Sequence, residues 1–307
     1  MQLPSFIQWK EFPRVLSGKE KLVFVLFSSV FLFSSFFLWR IFLDRFTTVI
    51  PASGGEIVEG VVGFPRFINP LYADTRDADR DLTELVFSGL FTYESTGNFV
   101  PDLAQNYQVL EEGRIVEIQL KESVVWHDGK PFGADDVIFT VRTLQNPSVK
   151  SPVRANWAGV QVEKISDLRV RFTFREPYAA FMEKLTLKII PAHIWQEIPV
   201  EQIALSPLNL QPIGTGKYRV EKTIQDSEGL VKEIRLKAFS KYVNKQPFIS
   251  SLTFKFFENE EKMLAASRSS QIESFPVSSP NAAKYAGLGK RVEQFSLPRA
   301  FSVFFNL

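Results

Sequence analysis

The stretch VWHDGKPFGADDVIFT, residues 125–140, holds the densest pattern of structural signals in this sequence. Asp128-Gly129 followed by Lys130-Pro131 is typical of a tight turn, because Asp and Gly tolerate turn backbone angles and Pro presets the next segment. The two aspartates at 135–136 suit the first turn of a helix, where the helix dipole favours carboxylates. Apolar residues at helical spacing then predict a helix over residues 134–144. A turn that leads directly into an amphipathic helix is therefore the best-defined local structure of the chain.

The same stretch raises a catalytic alternative, in which Asp128 would orient His127 as a general base. Adjacent residues of a strand point to opposite faces, so these two side chains are not expected to bond to each other. His193 is the only other histidine and has no carboxylate at zinc-site spacing. Residues 214–217 (GTGK) lack the earlier Gly and the following Ser or Thr of a phosphate-binding loop. The sequence thus predicts no enzyme, with no catalytic residue, no metal site and no cofactor.

Composition narrows the possible classes of protein. The chain has 36 basic and 34 acidic residues, a formal charge of +2, and no basic patch stands out. We therefore expect no nucleic-acid partner, since binding to phosphate backbones needs concentrated positive charge. The absence of cysteine excludes disulfides, zinc–thiolate sites and cysteine nucleophiles.

Residues 22–39 (LVFVLFSSVFLFSSFFLW) form an uncharged apolar run near the N-terminus. As a helix they would cover about 27 Å, close to the hydrocarbon thickness of a bilayer. Basic residues outnumber acidic ones in residues 1–21, which predicts a cytoplasmic N-terminus and export of everything after the span. No small-x-small cleavage site follows Trp39, so we expect an uncleaved anchor rather than a signal peptide. The predicted location is the cell membrane, single-pass, with the C-terminal domain extracytoplasmic, in the periplasm or on the cell surface.

The remainder is predicted to be an α+β structure with antiparallel strand pairs, after a linker at residues 40–56. Helices are expected at Asp77–Ser88, Ala134–Leu144, Pro177–Leu185 and Asn259–Ser267. Strands are expected at Ile57–Val62, Tyr107–Leu110, Ile115–Leu120, Leu168–Phe174, Tyr218–Lys222, Leu230–Phe239 and Leu252–Phe257. Aspartates at 74, 77, 79 and 81 alternate with arginines at 76 and 80. They lack the Gly and the closing Glu of an EF-hand loop, so a solvated, self-paired helix face is expected there.

Seven blocks, in order, resemble the bacterial extracytoplasmic solute-binding proteins of family 5, which serve oligopeptide, dipeptide and nickel ABC importers. The blocks are FINPL (67–71), LVFSGLF (85–91), VPDLA (100–104), VWHDGKPF (125–132), ADDVIFT (134–140), IGTGKY (213–218) and FSVFFNL (301–307). The resemblance implies a periplasmic-binding-protein-like fold of type II, cluster C. Residues 57–307 would form its first lobe, with an inserted subdomain at about 94–205. The strand at 301–307 stops in mid-pattern, so we expect the second lobe to be missing from this sequence.

The resemblance also implies a set of cleft-facing residues in the first lobe. They are Asp74, Thr75, Arg76, Val153, Trp157, Arg299 and Phe301. An alternative for Asp74 and Thr75 is that they only cap the following helix. Recognition of an extended peptide in such a cleft depends on backbone pairing and on roomy side-chain pockets. No side chain in this set therefore indicates a preferred ligand.

The function expected from this resemblance is capture of peptides outside the cytoplasmic membrane and their delivery to the permease subunits of an ABC transporter. The membrane would be reached through residues 22–39. Two alternatives stay open: a sensor or scaffold that keeps the fold without transport, and a binder of a non-peptide solute such as a nickel chelate.

Overall fold

A computed structural model of the chain describes residues 16–48, 52–73, 76–94, 97–176, 181–277 and 292–293. It contains two units, residues 1–52 and residues 53–307. Among the described residues of the first unit, helix α1 runs over Gly18–Phe46. The Glu20 carboxylate accepts hydrogen bonds from the backbone N–H and the hydroxyl of Ser17 at 2.8 and 2.7 Å, which closes a capping box at the start of α1.

Helix α1 is long and apolar enough to cross a membrane, and no other helix in the described residues is. Its length and composition fit an anchor and a signal sequence equally. The helix extends beyond the predicted span of residues 22–39 at both ends, and its apolar side chains are exposed on every face. An apolar surface on all sides is expected where the surroundings are lipid rather than a protein core.

The second unit mixes helices and strands, as predicted. Its strands are β1 (Glu56–Val62), β2 (Phe91–Tyr93), β3 (Phe99–Pro101), β4 (Ala104–Leu110), β5 (Ile115–Leu120), β6 (Gln161–Ser166), β7 (Arg169–Thr173), β8 (Tyr218–Gln225), β9 (Val231–Ala238) and β10 (Ser251–Phe257). Its helices are α2 (Asp77–Val86), α3 (Ala134–Gln145), α4 (Phe181–Lys184), α5 (Ala192–Trp195) and α6 (Glu260–Arg268). The seven strands predicted between residues 57 and 257 are present, and the strand predicted at residues 301–307 lies outside the described residues. Strands β2, β3 and β6 were not predicted.

The strands form three sheets. One sheet has the order β1–β10–β9–β8, with β1 parallel to β10 and the other neighbours antiparallel. A second, fully antiparallel sheet has the order β4–β5–β7–β6, and β2 and β3 form a small pair. After α6, the chain returns to the first sheet. There Gly60 N, on the edge strand β1, donates a hydrogen bond to Ser274 O at 2.9 Å.

One hydrophobic core extends over both four-stranded sheets. Helix α3 packs on the second sheet through the face predicted from the sequence, so Val137 and Leu144 are fully buried. Asp136, at the start of α3, accepts hydrogen bonds from Gly133 N at 3.0 Å, Ala192 N at 2.9 Å and Trp126 Nε1 at 3.3 Å. This buried carboxylate therefore fixes α3, α5 and the turn at residues 126–130 against one another.

The predicted turn after Trp126 is present, and it is held by a glycine pair. His127 N donates to Gly214 O at 2.9 Å, and Gly216 N donates to Val86 O at 2.8 Å. A Cβ atom on Gly214 would lie 1.9 Å from the carbonyl oxygen of Val86, so only glycine allows this approach. The GTG segment, residues 214–216, therefore allows the start of β8 to pack closely against the end of α2.

The expectation of a solvated aspartate face on α2 is correct for part of the helix and wrong for Asp79. Arg80 forms ion pairs with Asp77 and with Asp81. Asp79 is fully buried instead, and its Oδ1 accepts from the backbone N–H groups of Arg66 and Phe67 at 2.7 and 3.1 Å. The carboxylate thus ties α2 to the loop that precedes it.

Candidate functional site

A cavity of about 410 Å³ lies where α2 faces two segments that are distant in sequence. Its wall is formed by Pro70, Ala73, Arg80, Thr83, Glu84, Val153, Asn156, Trp157, Glu183, Lys184, Thr186, Leu187 and Lys188. The size is in the range of small-ligand sites, and the wall is richer in polar and charged side chains than is usual for such sites.

The loop at residues 67–73 is fixed by a buried amide pair. Asn69 Nδ2 donates to Asn209 Oδ1 at 2.8 Å, and Asn69 Oδ1 accepts from Leu71 N at 3.0 Å. The side chain of Asn209 is held in turn by the backbone oxygens of Ile203 and Ser206 at 2.7 and 3.0 Å. Because both amides are satisfied, the loop has one defined position at the cavity rim.

A second set of bonds brings this loop to the segment around Val153. Tyr72 Oη donates to Val149 O at 3.0 Å, and Ser151 Oγ donates to Leu71 O at 2.6 Å. These residues are buried, so the two bonds are shielded from water. They explain why Pro70 and Val153 border the same cavity although they are far apart in the chain.

Trp157 is the aromatic part of the cavity wall. Its ring lies edge-on to that of Phe181 at a centroid distance of 5.6 Å, and the residue is 3% exposed. The side-chain amide of Gln145, at the end of α3, donates to the carbonyl of Trp157 at 2.8 Å. Ring packing and a backbone bond therefore both hold Trp157 in place.

Lys188 is a nearly buried cation in the cavity wall, with a side chain 8% exposed. Its Nζ lies 2.8 Å from Glu84 Oε2, the one acceptor within hydrogen-bond distance in the described part of the chain. An ammonium group has three N–H donors, so two have no protein acceptor there. Lys188 also lowers the pKa of Asp102 by its charge, although burial has the larger effect and the net pKa of Asp102 is raised.

The other polar groups of the cavity nearly balance in charge. Lys184 Nζ donates to Asn156 O at 2.6 Å, and Arg80 is paired outside the cavity as described above. The cavity wall thus carries three cations and two carboxylates. Thr83 is 4% exposed, and its hydroxyl has no hydrogen-bond partner among the described residues. Such a site suits hydrogen-bonding ligand groups more than strongly charged ones.

The structure brings together part of the predicted site. Val153 and Trp157 line the cavity as neighbours of the 67–73 loop. Arg76 is exposed at the start of α2 and is not in the cavity wall. Asp74, Thr75, Arg299 and Phe301 lie outside the described residues.

Sequence reasoning missed the cavity residues of α2 and of the 183–188 segment. One signal was available, because Lys188 is the only charge in the apolar run LTLKII at residues 185–190. A charge within a buried segment is costly unless it has a partner, and such positions often belong to functional sites.

His127 and Asp128 do not form the catalytic dyad that the sequence raised as an alternative. His127 Nε2 lies 3.1 Å from Gly216 O, while His127 Nδ1 accepts from Gly214 N at 3.2 Å. Burial lowers the pKa of His127 to about 4. Asp128 instead contacts His193, with Oδ2 2.8 Å from Nε2. This pair was not predicted, because the two residues are 65 positions apart in the sequence. No group of three or more metal-ligating side chains is found among the described residues.

Comparison with known proteins places this architecture in a family. Residues 98–307 match the family described as bacterial extracellular solute-binding proteins, family 5 Middle. The oligopeptide-binding protein AppA of Bacillus subtilis is 27% identical over 231 residues, covering 74% of this chain and 41% of that protein. The dipeptide-binding protein of Escherichia coli is 27% identical over 205 residues, covering 60% of this chain and 37% of that protein.

Solved structures agree with this assignment. AppA from B. subtilis, in complex with a nonapeptide, superposes with a TM-score of 0.70 at 27% identity, covering 78% of this chain and 47% of that chain. NikZ from Campylobacter jejuni, in complex with Ni(L-His), gives a TM-score of 0.66 at 26% identity, covering 78% of this chain and 46% of that chain. The chain spans less than half of the length of the relatives it matches. The fold, the order of the matching blocks and these comparisons show that the chain belongs to family 5 of the bacterial extracellular solute-binding proteins.

Proposed function

We propose that this chain is the substrate-binding component of an ABC importer, which captures peptides outside the cytoplasmic membrane and delivers them to the permease. The observation that carries this proposal is the cavity beside α2, where Lys188 offers two N–H donors that have no acceptor among the described residues. An extended peptide presents carbonyl oxygens at regular intervals, which are suitable acceptors for these donors.

The charge balance of the cavity supports a peptide over a small, highly charged solute. Lys188 is already compensated by Glu84 at 2.8 Å, so a further full charge would gain little attraction there. Trp157 and Leu187 supply apolar surface for a side chain of the ligand. Two relatives, AppA and the E. coli protein, are named for oligopeptide and dipeptide binding, which agrees with this chemistry.

The proposal extends to the arrangement at the membrane. Family 5 proteins are extracytoplasmic, and α1 is long and apolar enough to hold residues 53 onward at the outer side of the membrane as an uncleaved anchor. Residues 57–307 would form one lobe with an inserted subdomain at about 94–205, and ligand would be enclosed by rigid-body closure against a second lobe.

Isothermal titration of the detergent-solubilised chain with a mixed peptide library tests the proposal. We expect heat of binding with peptides, weakened about tenfold or more in a Lys188→Met variant, which keeps the aliphatic stem and removes the donors. Lys222→Met is the matched control, because Lys222 is exposed on β8 and lies outside the cavity wall. Silence with every peptide would reject the proposal.

A nickel chelate is the second candidate ligand, favoured by the structural similarity to NikZ in complex with Ni(L-His). The same titration with nickel and L-histidine separates the two candidates. Heat with the chelate and none with peptides would assign the cavity to the chelate.

A further inference from the structure

A second cavity, of about 330 Å³, lies away from the first and shares no wall residue with it. Its wall is formed by His127, Asp128, Gly129, Arg219, Lys237, Ala238, Phe239, Ser240 and Lys241. These residues come from the turn after Trp126, from the facing ends of β8 and β9, and from the turn that follows β9. Three of them are cations and one is a carboxylate.

Two of the cations face each other across a strand pair. Arg219 on β8 is in register with Lys237 on β9, and directly opposite residues of an antiparallel pair share one face of the sheet. Like charges in this arrangement destabilise a sheet. Among the described residues Arg219 has no ion pair, and the carboxylate nearest to Lys237 Nζ is that of Glu221, at 3.8 Å. In the described part of the chain, the repulsion between Arg219 and Lys237 is therefore relieved only in part, through the contact of Lys237 with Glu221.

The turn after β9 adds donors to the same cavity. Tyr242 N donates to Phe239 O at 3.0 Å, which leaves Ser240 and Lys241 at the two central positions of the turn. The backbone N–H groups of these two residues, the Ser240 hydroxyl and the Lys241 ammonium have no acceptor in the described part of the chain. The turn thus adds donor groups without an acceptor in the described part of the chain to a wall that already holds Arg219 and Lys237.

The one carboxylate in the wall does not neutralise these cations. Asp128 Oδ2 is 2.8 Å from His193 Nε2, and its Oδ1 accepts from Lys130 N at 3.1 Å. Both oxygens are therefore engaged outside the group formed by Arg219, Lys237 and Lys241. With three cations and one carboxylate, the cavity wall has a net positive charge. Burial is the main cause of the lowered pKa of His127, while the charge of Arg219 lowers this pKa further and that of Asp128 raises it.

We propose that this second cavity is a binding site for a phosphate-type oxyanion, held between Arg219 and Lys237 and closed by the Ser240–Lys241 turn. A tetrahedral oxyanion has enough acceptor oxygens to bridge two opposed cations and a turn at once, and a guanidinium binds it through two parallel bonds. The anion is either a free phosphate or the phosphodiester of a lipid headgroup. The site is distinct from the proposed peptide cavity, since the two cavities share no wall residue.

Titration of the full chain in detergent with inorganic phosphate tests the site, with the ring resonances of His127 as the reporter. We expect a saturable shift in the native protein and in Lys222→Gln, which removes a β8 cation outside the cavity. In Arg219→Gln and in Lys241→Gln the affinity should fall by about fivefold or more, because each variant removes a charged donor. A parallel titration with glycerophosphoglycerol, a soluble phosphodiester, shows whether a lipid headgroup or a free phosphate fits better.

Several results would overturn the proposal. These are equal phosphate affinity in all four proteins, no saturable shift with either phosphate compound, or tighter binding of acetate than of both. Arg219→Gln provides a second check, because Arg219 is exposed and the variant relieves the repulsion with Lys237. Its urea midpoint in phosphate-free buffer should be equal to or higher than that of the native chain. A lower midpoint would contradict the repulsion on which the site depends.

Discussion

The ring of His127 should make the folded protein sensitive to acid. In the folded state Nδ1 accepts from Gly214 N at 3.2 Å and Nε2 lies 3.1 Å from Gly216 O, so the neutral ring, protonated at Nε2, satisfies both backbone groups. A proton on Nδ1 would place two N–H donors against each other. Burial, in the first place, lowers the pKa of His127 from 6.5 to about 4.

The size of the effect follows from linkage between protonation and folding. Because the folded-state pKa is depressed, the stabilisation is fully present above pH 6.5 and is lost progressively as the pH falls from 6.5 to below about 4. At pH 5 the unfolded chain holds nearly one proton on this ring and the folded chain almost none. The free energy of unfolding should therefore fall by about 2 kcal/mol between pH 8 and pH 5 through His127 alone.

A His127→Gln variant isolates this contribution, because all other titrating groups are shared with the native chain and cancel in the comparison. Urea unfolding of both proteins in detergent, followed by tryptophan fluorescence at pH 8 and pH 5, measures it. The native chain should lose about 2 kcal/mol more than the variant. Equal losses, or an NMR titration of the His127 ring with a midpoint near 6.5, would contradict the hydrogen-bond pattern described here.

Two further predictions concern buried contacts near the candidate ligand cavity. Gly214→Ala should prevent stable folding, because its Cβ would lie 1.9 Å from Val86 O; a cooperative unfolding transition within about 1 kcal/mol of the native value would contradict this close approach. Asp79→Ala should lower the free energy of unfolding by about 2–3 kcal/mol at pH 8, since Arg66 N and Phe67 N lose their acceptor. Asp79→Asn keeps an acceptor oxygen and removes a charge whose burial raises the pKa of Asp79, so its loss should stay under about 1 kcal/mol in the same urea assay. Equal losses in the two Asp79 variants would show that the carboxylate does not hold the loop.

The parts of the fold that depend on local chemistry could be predicted from the sequence. The turn after Trp126 and helix α3 follow from residue types at fixed short spacings, and both are present. Strand β7 was evident because Val170 and Phe172 alternate with polar residues in the sequence. In the structure these two residues are buried and their neighbours are half-exposed. Local rules are sufficient where the pattern of burial repeats within one element.

Strand β6 shows where such rules fail. Its sequence, QVEKIS, does not alternate regularly between apolar and polar residues. It is an edge strand, and Val162 is its one buried residue. Tertiary pairing with β7 makes it a strand, and pairing of this kind leaves little trace in the strand's own sequence.

The candidate ligand cavity was predictable only in part for a related reason. Val153 and Trp157 came from the family resemblance, but the cavity joins four segments: residues 70–73, helix α2, residues 153–157 and residues 183–188. The bond from Ser151 to Leu71 O and the Asn69–Asn209 pair connect residues far apart in sequence. Asp79 was misjudged for the same reason, since its partners Arg66 and Phe67 lie in a preceding loop whose path the sequence does not reveal.

Hydrogen–deuterium exchange on the full chain, with and without a peptide that gives heat in titration, tests most directly whether the cavity beside α2 holds the ligand. We predict slower exchange in the peptide-bound state for amides at residues 70–73, 153–157 and 183–188, with residues 238–241 unchanged. Bound peptide that leaves all three segments exchanging at their free rates would contradict the assignment of this cavity.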